Sequence, residues 1–411
     1  MLSKTLKKQP NSRSFGFQTN NVVTFSLLLL LVFSSISFTA VKPVPIGVKF
    51  DSHIYRTGHG DNFNQTWAAD DNIYFNCDDG MGWVQEEPAT NFNCRVYKLT
   101  GGPEPFDVHY LDGYPNYLRH KKYVYGDKLL ALYKKHKKFY HSSWYGFGII
   151  SVDGILYHFV SRTGDAGFDT LWRGTKLIYS PDFGKTWYRH DGKNSLLDFI
   201  NDEGMFFWDE TEDYSFSYNA FLQCGKDYSL AKDNYVYIYS KAGSGRPSEI
   251  VLARVSKDKI LEKSAYSYFK EFDQNENPVW SADVNDKGII HNMPEGYVHC
   301  GWLPNVVYNP GLDLYIMASA GRGKDGTDRW EQPSSLGMWY AEKPWGPFKQ
   351  FYFTDKWINS DPNARLYQAR LSPKWISEDG REMYLIFSDC QGRWTKNYGW
   401  NQQKITLELS K

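Results

Sequence analysis

Residues 140–162 have the sequence YHSSWYGFGIISVDGILYHFVSR. Apolar residues run up to Asp153-Gly154 and resume directly after it, which predicts two strands joined by a two-residue turn. Such turns require positive φ angles, which Asp-Gly adopts readily, so this is a strong local signal for a β-hairpin.

The same pattern, a turn followed by an apolar strand centred on a tyrosine, occurs five times. The aligned residues are Tyr74, Tyr157, Tyr237, Tyr315 and Tyr384, separated by 83, 80, 78 and 69 residues. Near-equal repeats of this size in an all-β chain are typical of propellers. The sequence therefore predicts a single β-propeller with five blades.

Composition limits the class of partner. The 411 residues include 47 basic and 47 acidic side chains, and 17% are aromatic. A balanced charge argues against a nucleic-acid partner. The aromatic residues suit β-sheet cores and also sugar binding, where rings stack on saccharide faces.

The N-terminal 40 residues predict a secretory signal peptide. Basic residues precede an apolar run over residues 22–41 that contains small residues near its end, the order expected of such a signal. Cleavage near residue 40 would leave residues 41–411 as one propeller domain, exported to the periplasm or the medium, monomeric and without membrane contact. The alternative is an uncleaved anchor, because about 20 apolar residues can span a bilayer.

Both ends of the exported chain bear on how the propeller closes. Residues 46–100 are interpreted as the first repeat, and residues 404–409 alternate as a final strand. We expect this final strand to complete a blade begun elsewhere, which would close the ring.

Five cysteines are present, an odd number with no metal-finger spacing. A Cys77–Cys94 disulfide and single buried thiols both remain open. His299-Cys300 is either a structural metal corner or two strand residues on opposite faces.

Residues 180–187, SPDFGKTW, match the pattern S-x-D-x-G-x-T-W. This Asp-box occurs as a turn between outer strands of sialidase-type propellers. Its Asp caps its own turn and its Trp packs between sheets, so the motif predicts structure and not chemistry.

Several longer phrases carry a family resemblance. These are GHGD followed by TWAADDNIY, then YGFGIISVDGILY, CGKDY, YVYIYS, LARV and LSPKWISEDGREMYLIFS. They resemble the propeller-type ulvan lyases and related secreted propeller proteins, over nearly the whole exported chain. The resemblance implies seven blades and β-elimination at uronic acids of an anionic, sulfated poly- or oligosaccharide, giving a 4,5-unsaturated uronate. No cofactor is needed for that chemistry, and a structural divalent metal remains open.

Elimination requires neutralisation of the uronate carboxylate, a base for the C5 proton and an acid for the leaving oxygen. The resembled family uses His, Tyr and Arg in an order that this chain matches with His120, His141, Tyr228 and Arg246. By this resemblance Arg246 binds the carboxylate with its planar fork. Tyr228 is the base that then returns its proton, and His141 supports the carboxylate or shares the base role.

Four residues are predicted to bind substrate. His120 and Lys122 lie in a basic segment suited to an anionic sugar, His59 precedes the first inner strand, and Trp144 offers an aromatic face. A solvated basic loop, turn formation and core packing are the structural alternatives.

Three functional alternatives remain. The leaving group in an elimination is either a glycan chain, as in a polysaccharide lyase, or a hydroxyl, as in an oligosaccharide dehydratase. A propeller glycoside hydrolase would instead need paired carboxylates, drawn from Asp70, Asp71, Asp153, Asp209, Glu210 and Glu212. A non-catalytic sugar-binding propeller is the third class.

Overall fold

A computed structural model describes residues 42–83, 92–115, 117–118, 144–163, 172–193, 206–208, 215–243, 248–294, 303–321, 333–359, 361–391 and 397–411. The chain divides into two units, Met1–Lys42 and Pro43–Lys411. The predicted signal peptide and the His299-Cys300 pair lie outside the described residues. Among the residues that are described, no helix has the length and apolarity needed to cross a membrane.

The described structure is almost entirely β. In chain order the strands are β1 Pro45–Thr57, β2 Gln65–Trp67, β3 Ile73–Gly80, β4 Phe92–Gly101, β5 Phe106–Tyr110, β6 Tyr117–Leu118, β7 Trp144–Val152, β8 Ile155–Thr163, β9 Trp172–Ser180, β10 Tyr188–Arg189, β11 Ala220–Phe221 and β12 Tyr235–Lys241. The remaining strands are β13 Glu249–Ser256, β14 Ser267–Phe272, β15 Pro278–Ser281, β16 His291–Asn292, β17 Asn305–Asn309, β18 Leu314–Gly321, β19 Ser334–Ala341, β20 Lys349–Trp357, β21 Leu366–Ile376, β22 Glu382–Asp389 and β23 Trp400–Leu409. Short 3-10 turns occupy Lys226–Tyr228, Lys257–Lys259, Lys263–Ala265 and Val284–Asp286.

These strands form five antiparallel sheets, the blades of a five-bladed β-propeller. From the axis outward, blade one is β2-β3-β4-β5 and blade two is β7-β8-β9-β10. Blade three is β11-β12-β13-β14-β15, blade four is β17-β18-β19-β20, and blade five is β21-β22-β23-β1. Strand β6 pairs with β4, and β16 with β13. The innermost strands β2, β7, β11, β17 and β21 contact one another in a closed ring.

The five aligned tyrosines each lie on the second strand of a blade, so one sequence repeat corresponds to one blade. The hydroxyl of Tyr74 donates to Asp70 at 2.8 Å, and that of Tyr237 donates to Asp233 at 2.7 Å. This contact ties the strand to the preceding turn, which accounts for the recurrence of the Asp-Tyr pattern. The prediction of five blades is confirmed, and the seven blades implied by the family resemblance are wrong.

Hydrogen bonds near the axis join every blade to the next. They are Asn62 Nδ2 to Gly146 O at 2.6 Å, Gly148 N to Asn219 O at 2.7 Å, Gln223 N to Val306 O at 2.9 Å, Leu371 N to Asn305 Oδ1 at 2.8 Å, and Asn62 N to the Gln368 side-chain oxygen at 2.6 Å. Because their donors and acceptors are buried, these bonds form in a medium of low dielectric, where each is strong. They fix the blades around one centre.

Ring closure differs from the sequence interpretation. The C-terminal strand β23 belongs to the same blade as β21 and β22, which directly precede it, and the N-terminal strand β1 pairs antiparallel with β23. Residues 45–57 therefore complete blade five and are not part of the first repeat. Blade five thus combines the three C-terminal strands β21, β22 and β23 with the N-terminal strand β1. Because the chain continues from β1 into blade one, this pairing closes the ring.

The hairpin predicted at residues 140–162 is confirmed over β7 and β8. Asp153 has φ 51° and Gly154 φ 78°, as a two-residue hairpin turn requires. Asp227 of blade three accepts hydrogen bonds from the Ser151 hydroxyl at 2.6 Å and from the Gly154 amide at 3.0 Å. The turn is therefore anchored to the neighbouring blade.

The Asp-box forms the predicted turn between β9 and β10. Asp182 accepts bonds from the Thr186 amide at 2.8 Å and the Thr186 hydroxyl at 2.7 Å. Trp187 is 4% exposed and donates to Gly184 O at 3.1 Å. The motif caps its own turn and contributes a core side chain, as predicted.

Cys77 and Cys94 are free buried thiols and do not form a disulfide. Cys94 lies directly opposite Asp78 in the β3–β4 pair. Successive side chains of a strand point to opposite faces, so Cys77 and Cys94 lie on opposite faces of the sheet and cannot be bridged.

Candidate active site

A cluster of polar side chains is buried at the axis, beside the N-terminal ends of the innermost strands. Its centre is the pair Asp61 and Asp78, whose backbones exchange two hydrogen bonds of 2.8 Å each. In such an antiparallel pair the two side chains leave the same face at a separation of about 5 Å between Cβ atoms. The fold therefore brings two carboxyl groups together.

Asp61 is held by two tyrosines. Its Oδ2 accepts a hydrogen bond from the Tyr367 hydroxyl at 2.6 Å and another from the Tyr398 hydroxyl at 3.0 Å. Hydrogen bonds donated to a carboxylate favour its charged form. At 7% exposure Asp61 is the less buried carboxyl of the pair.

Asp78 lies deeper, at 1% exposure. Asn62 donates to its Oδ2 at 2.8 Å, while Asn76 and the Gly146 amide donate to its Oδ1 at 3.3 Å and 3.2 Å. Burial, reinforced by the charge of Asp61, nevertheless raises the pKa of Asp78 well above the usual range. The two carboxyls thus differ in environment, since burial favours the protonated form of Asp78 while two hydroxyls donate to Asp61.

Arg370 supplies a buried cation, at 2% exposure. Its guanidinium donates to Leu303 O at 3.1 Å and to Asn62 Oδ1 at 3.0 Å. Burial lowers the pKa of Arg370 to about 10, although the charges of Asp78 and Asp61 act in the opposite direction. Arg370 therefore remains charged at neutral pH beside the carboxyl pair.

A β-bulge in β21 aims Tyr367 and Arg370 at the same centre. Tyr367 pairs with Ser388 and Arg370 with Ile386, so two residues of β21 face one residue of β22. Without the extra residue, side chains three positions apart would point to opposite faces of the sheet. The bulge lets Tyr367 reach Asp61 while Arg370 reaches Asn62.

The backbone around the cluster adopts uncommon conformations. Asn62, Asp79 and Gln368 have φ angles of 58°, 50° and 57°. Non-glycine residues in this region carry strain, which collects at ligand and active sites. Gly146 is required for a different reason, since a Cβ there would lie 2.6 Å from Cys94 Sγ and 2.9 Å from the Asn76 side chain.

The described centre contains three acidic side chains, Asp61, Asp78 and Asp79, and the Arg370 guanidinium. Two carboxyls whose environments separate their protonation are the arrangement that general acid–base catalysis uses. An acid-rich centre is poorly suited to holding a further carboxylate.

Of the seven predicted site residues, the structure places His59 at this cluster. Its ring stacks edge-on against Tyr398 at 5.2 Å, and its Nδ1 accepts the Met81 amide at 3.2 Å. His120, Lys122, His141 and Arg246 lie outside the described residues, so their roles stay predictions. Trp144 is 8% exposed, and the Lys176 ammonium lies 4.1 Å from the centre of its ring. Core packing therefore explains the position of Trp144.

The placement of Tyr228 argues against the base role predicted for it. Tyr228 is 2% exposed, and its hydroxyl donates to Tyr235 O at 3.1 Å. Burial raises the pKa of Tyr228 well above the usual range, so a phenolate there is strongly disfavoured. Tyr228 also directly follows Asp227, which binds the β7–β8 turn at the ends of the strands opposite the cluster.

We expect Tyr228→Phe to leave the activity proposed below unchanged. The substitution removes one buried hydrogen bond and should lower the free energy of unfolding by about 1 kcal/mol. Urea unfolding and steady-state assays of the two proteins test this. Abolished activity in a stably folded variant would restore the base assignment.

The sequence reading missed the main members of the cluster, namely Asp61, Asp78, Asp79, Tyr367, Arg370 and Tyr398. The signal that could have found part of it is the pair Asp78-Asp79 at the end of the fully buried strand β3. Burying an acidic pair is costly without a specific purpose. Of the turn carboxylates considered for a hydrolase, Asp70, Asp71 and Asp153 do not contribute, because they lie in hairpin turns at the opposite ends of the strands. Asp209, Glu210 and Glu212 lie outside the described residues.

No group of three or more His, Cys, Asp or Glu suited to holding a metal ion occurs within the ranges that the structure describes.

The fold and the buried acidic centre define a five-bladed propeller with a candidate active site on its axis. The chain belongs to the DUF4185 family, a domain of unknown function, whose model matches residues 128–399. This match includes Tyr367, Arg370 and Tyr398, whereas Asp61 and Asp78 precede it.

A comparison with proteins of curated function finds no match. Among solved structures, a candidate hydrolase from Bacteroides ovatus ATCC 8483 is 14% identical with a TM-score of 0.52, over 85% of this chain and 87% of that one. A xylan beta-1,4-xylosidase from Bacillus halodurans C-125 is 10% identical, with a TM-score of 0.44 over 85% of this chain and 53% of that one. The arabinanase Arb43A of Bacillus subtilis is 11% identical, with a TM-score of 0.44 over 87% and 97%. The similarity to the candidate hydrolase supports the propeller fold. The TM-scores of the other two structures are too low to carry an argument.

Proposed function

We propose that this protein is a glycoside hydrolase that uses Asp78 as general acid and Asp61 as general base or nucleophile. The observation that carries the proposal is the carboxyl pair at the propeller axis, in which the two members have different environments. Glycosidic hydrolysis needs two carboxyl groups, one protonated and one charged. The raised pKa of Asp78 and the two tyrosine hydroxyls on Asp61 match these two states.

The charge of the centre favours hydrolysis over the elimination predicted from the sequence. Elimination needs a cation dedicated to the uronate carboxylate, and Arg370 is already balanced by neighbouring acids. Its guanidinium also donates to Leu303 O and Asn62 Oδ1. We therefore propose an uncharged sugar ring beside the carboxyl pair, and keep the sequence prediction that the protein is exported and acts on a poly- or oligosaccharide.

The test is the chemistry of the products. The protein is incubated in ¹⁸O-labelled water with ulvan, its oligosaccharides and a panel of neutral glycans, and the products are analysed by ultraviolet absorbance and mass spectrometry. Hydrolysis places one ¹⁸O atom at each new reducing end and gives no ultraviolet-absorbing uronate. An unsaturated uronate without ¹⁸O would overturn the proposal in favour of a lyase, and loss of water without cleavage would indicate a dehydratase. Binding without any product would indicate a sugar-binding propeller.

A further inference from the structure

A line of buried polar side chains leads from the carboxyl pair into the junction between blades one and two. Cys94 lies opposite Asp78 in the strand register, on the same face of the sheet, which places its thiol beside the Asp78 carboxyl. Cys94 Sγ lies 3.2 Å from the Tyr114 hydroxyl, which in turn lies 3.0 Å from Nδ1 of His158. Four side chains from three strands and one loop therefore form a continuous line, in which hydrogen bonds join Cys94 to Tyr114 and Tyr114 to His158.

Beyond Asp78, the side chains of this path are buried and uncharged. Cys94, Tyr114 and His158 are 0%, 2% and 0% exposed. Burial raises the pKa of both Cys94 and Tyr114 well above their usual ranges and lowers the pKa of His158 to about 3. At neutral pH the thiol and the phenol are therefore protonated and the imidazole is neutral.

The Asp-box holds the far end of this path. The Trp187 ring packs edge-on against Tyr114 at 5.2 Å and against His158 at 6.4 Å. Next to Tyr114, a Cβ on Gly113 would lie 1.9 Å from Lys185 O, so this loop is pressed against the Asp-box backbone. A motif that contributes no chemistry of its own thus fixes the orientation of the Tyr114 hydroxyl.

The groups that face Asp78 from each packed element are known. Asp61 and Asp79 are acidic and Arg370 is basic, while Asn62, Asn76 and the Gly146 amide are neutral donors. Cys94 is the remaining donor, and a thiol is a weak one. A weak donor at this position stabilises the carboxylate less than a hydroxyl would, which leaves Asp78 able to keep its proton.

We propose that Cys94, Tyr114 and His158 are positioning residues that orient the Asp78 carboxyl and determine when it carries its proton. This inference rests on the proposed function, because it assigns to these residues the tuning of its general acid. Cys94 acts directly on Asp78, Tyr114 polarises the thiol, and His158 fixes the Tyr114 hydroxyl.

The pH dependence of kcat/KM tests the proposal. The alkaline limb reports loss of the proton from the acid. Cys94→Ala removes a donor to the carboxylate and should move this limb to higher pH, by about 0.5 to 1 unit. Cys94→Ser supplies a stronger donor and should move the alkaline limb to lower pH. Tyr114→Phe should move the limb to higher pH, as Cys94→Ala does, but by a smaller amount. Cys77→Ala is the matched control, since Cys77 is a buried thiol on the opposite face of the same strand pair, and its Sγ hydrogen-bonds backbone oxygens of His59 and Asp78.

Infrared spectroscopy tests the same contact without any substrate. The S–H stretching band that is lost in Cys94→Ala should shift with pH as Asp78 ionises, and should stop shifting in Asp78→Asn. An S–H band that does not respond to pH would overturn this inference. So would alkaline limbs at the same pH in Cys94→Ala and Cys94→Ser. Neither result would contradict the proposed hydrolase function. If no hydrolysis is found, the infrared titration alone decides whether the path controls Asp78.

Discussion

Asp78→Asn should reduce hydrolysis of a natural glycan by about 10²- to 10⁴-fold, the usual contribution of a general acid. The physical reason is that a sugar alkoxide is a poor leaving group without a proton. An aryl glycoside whose phenol leaves readily needs no such proton, so Asp78→Asn should retain most of its activity on nitrophenyl substrates. Steady-state kinetics on both substrate types measure this difference.

Asp61→Asn should lose activity on both substrate types, because activation of water or attack on the sugar is needed whatever the leaving group. Asp71→Asn is the matched control and should be nearly unchanged, since Asp71 lies in the β2–β3 turn and pairs with Lys226 and Lys374. The acid and base assignments would be incorrect if Asp78→Asn lost equal activity on both substrate types. They would also be incorrect if either Asp78→Asn or Asp61→Asn kept full activity.

Trp400→Ala should have the largest effect on stability, a loss of about 3–5 kcal/mol in the free energy of unfolding. Trp400 is fully buried in β23 of blade five, and its ring centre lies 5.3 Å from Phe63, 4.9 Å from Phe75 and 5.8 Å from Phe106. All three partners belong to the chain of blade one. The substitution would therefore open a cavity at the junction between blades five and one.

Urea unfolding followed by tryptophan fluorescence and circular dichroism measures this loss. Ile46→Ala is the control, because Ile46 is 62% exposed and should change stability by about 0.5 kcal/mol or less. Since Asp61 lies at the same junction, activity should fall together with stability. A loss below about 1 kcal/mol would mean that the two blades close without this aromatic cluster.

The candidate site was only partly predictable. His59 was recognised because the segment GHGD precedes the first inner strand, and it does lie against Tyr398 of the cluster. Tyr228 was chosen from the order of residues in a resembled family, yet its hydroxyl is used inside blade three. Residue order does not reveal which side of a strand a side chain occupies, nor how deeply it is buried.

The five blades, the hairpin and the Asp-box turn are predictable from the sequence, because each blade repeats a local pattern. Its parts are short-range contacts, such as the Asp-Gly turn and the tyrosine hydroxyl that reaches an aspartate four positions earlier. The composition of the centre, in contrast, depends on long-range contacts. Tyr367 meets Asp61 across 306 positions and Arg370 meets Asn62 across 308, because the N-terminal strand closes blade five and one bulged residue in β21 turns both side chains to the same face. Burial at that convergence then favours the protonated form of Asp78, and burial is a property of the assembled ring.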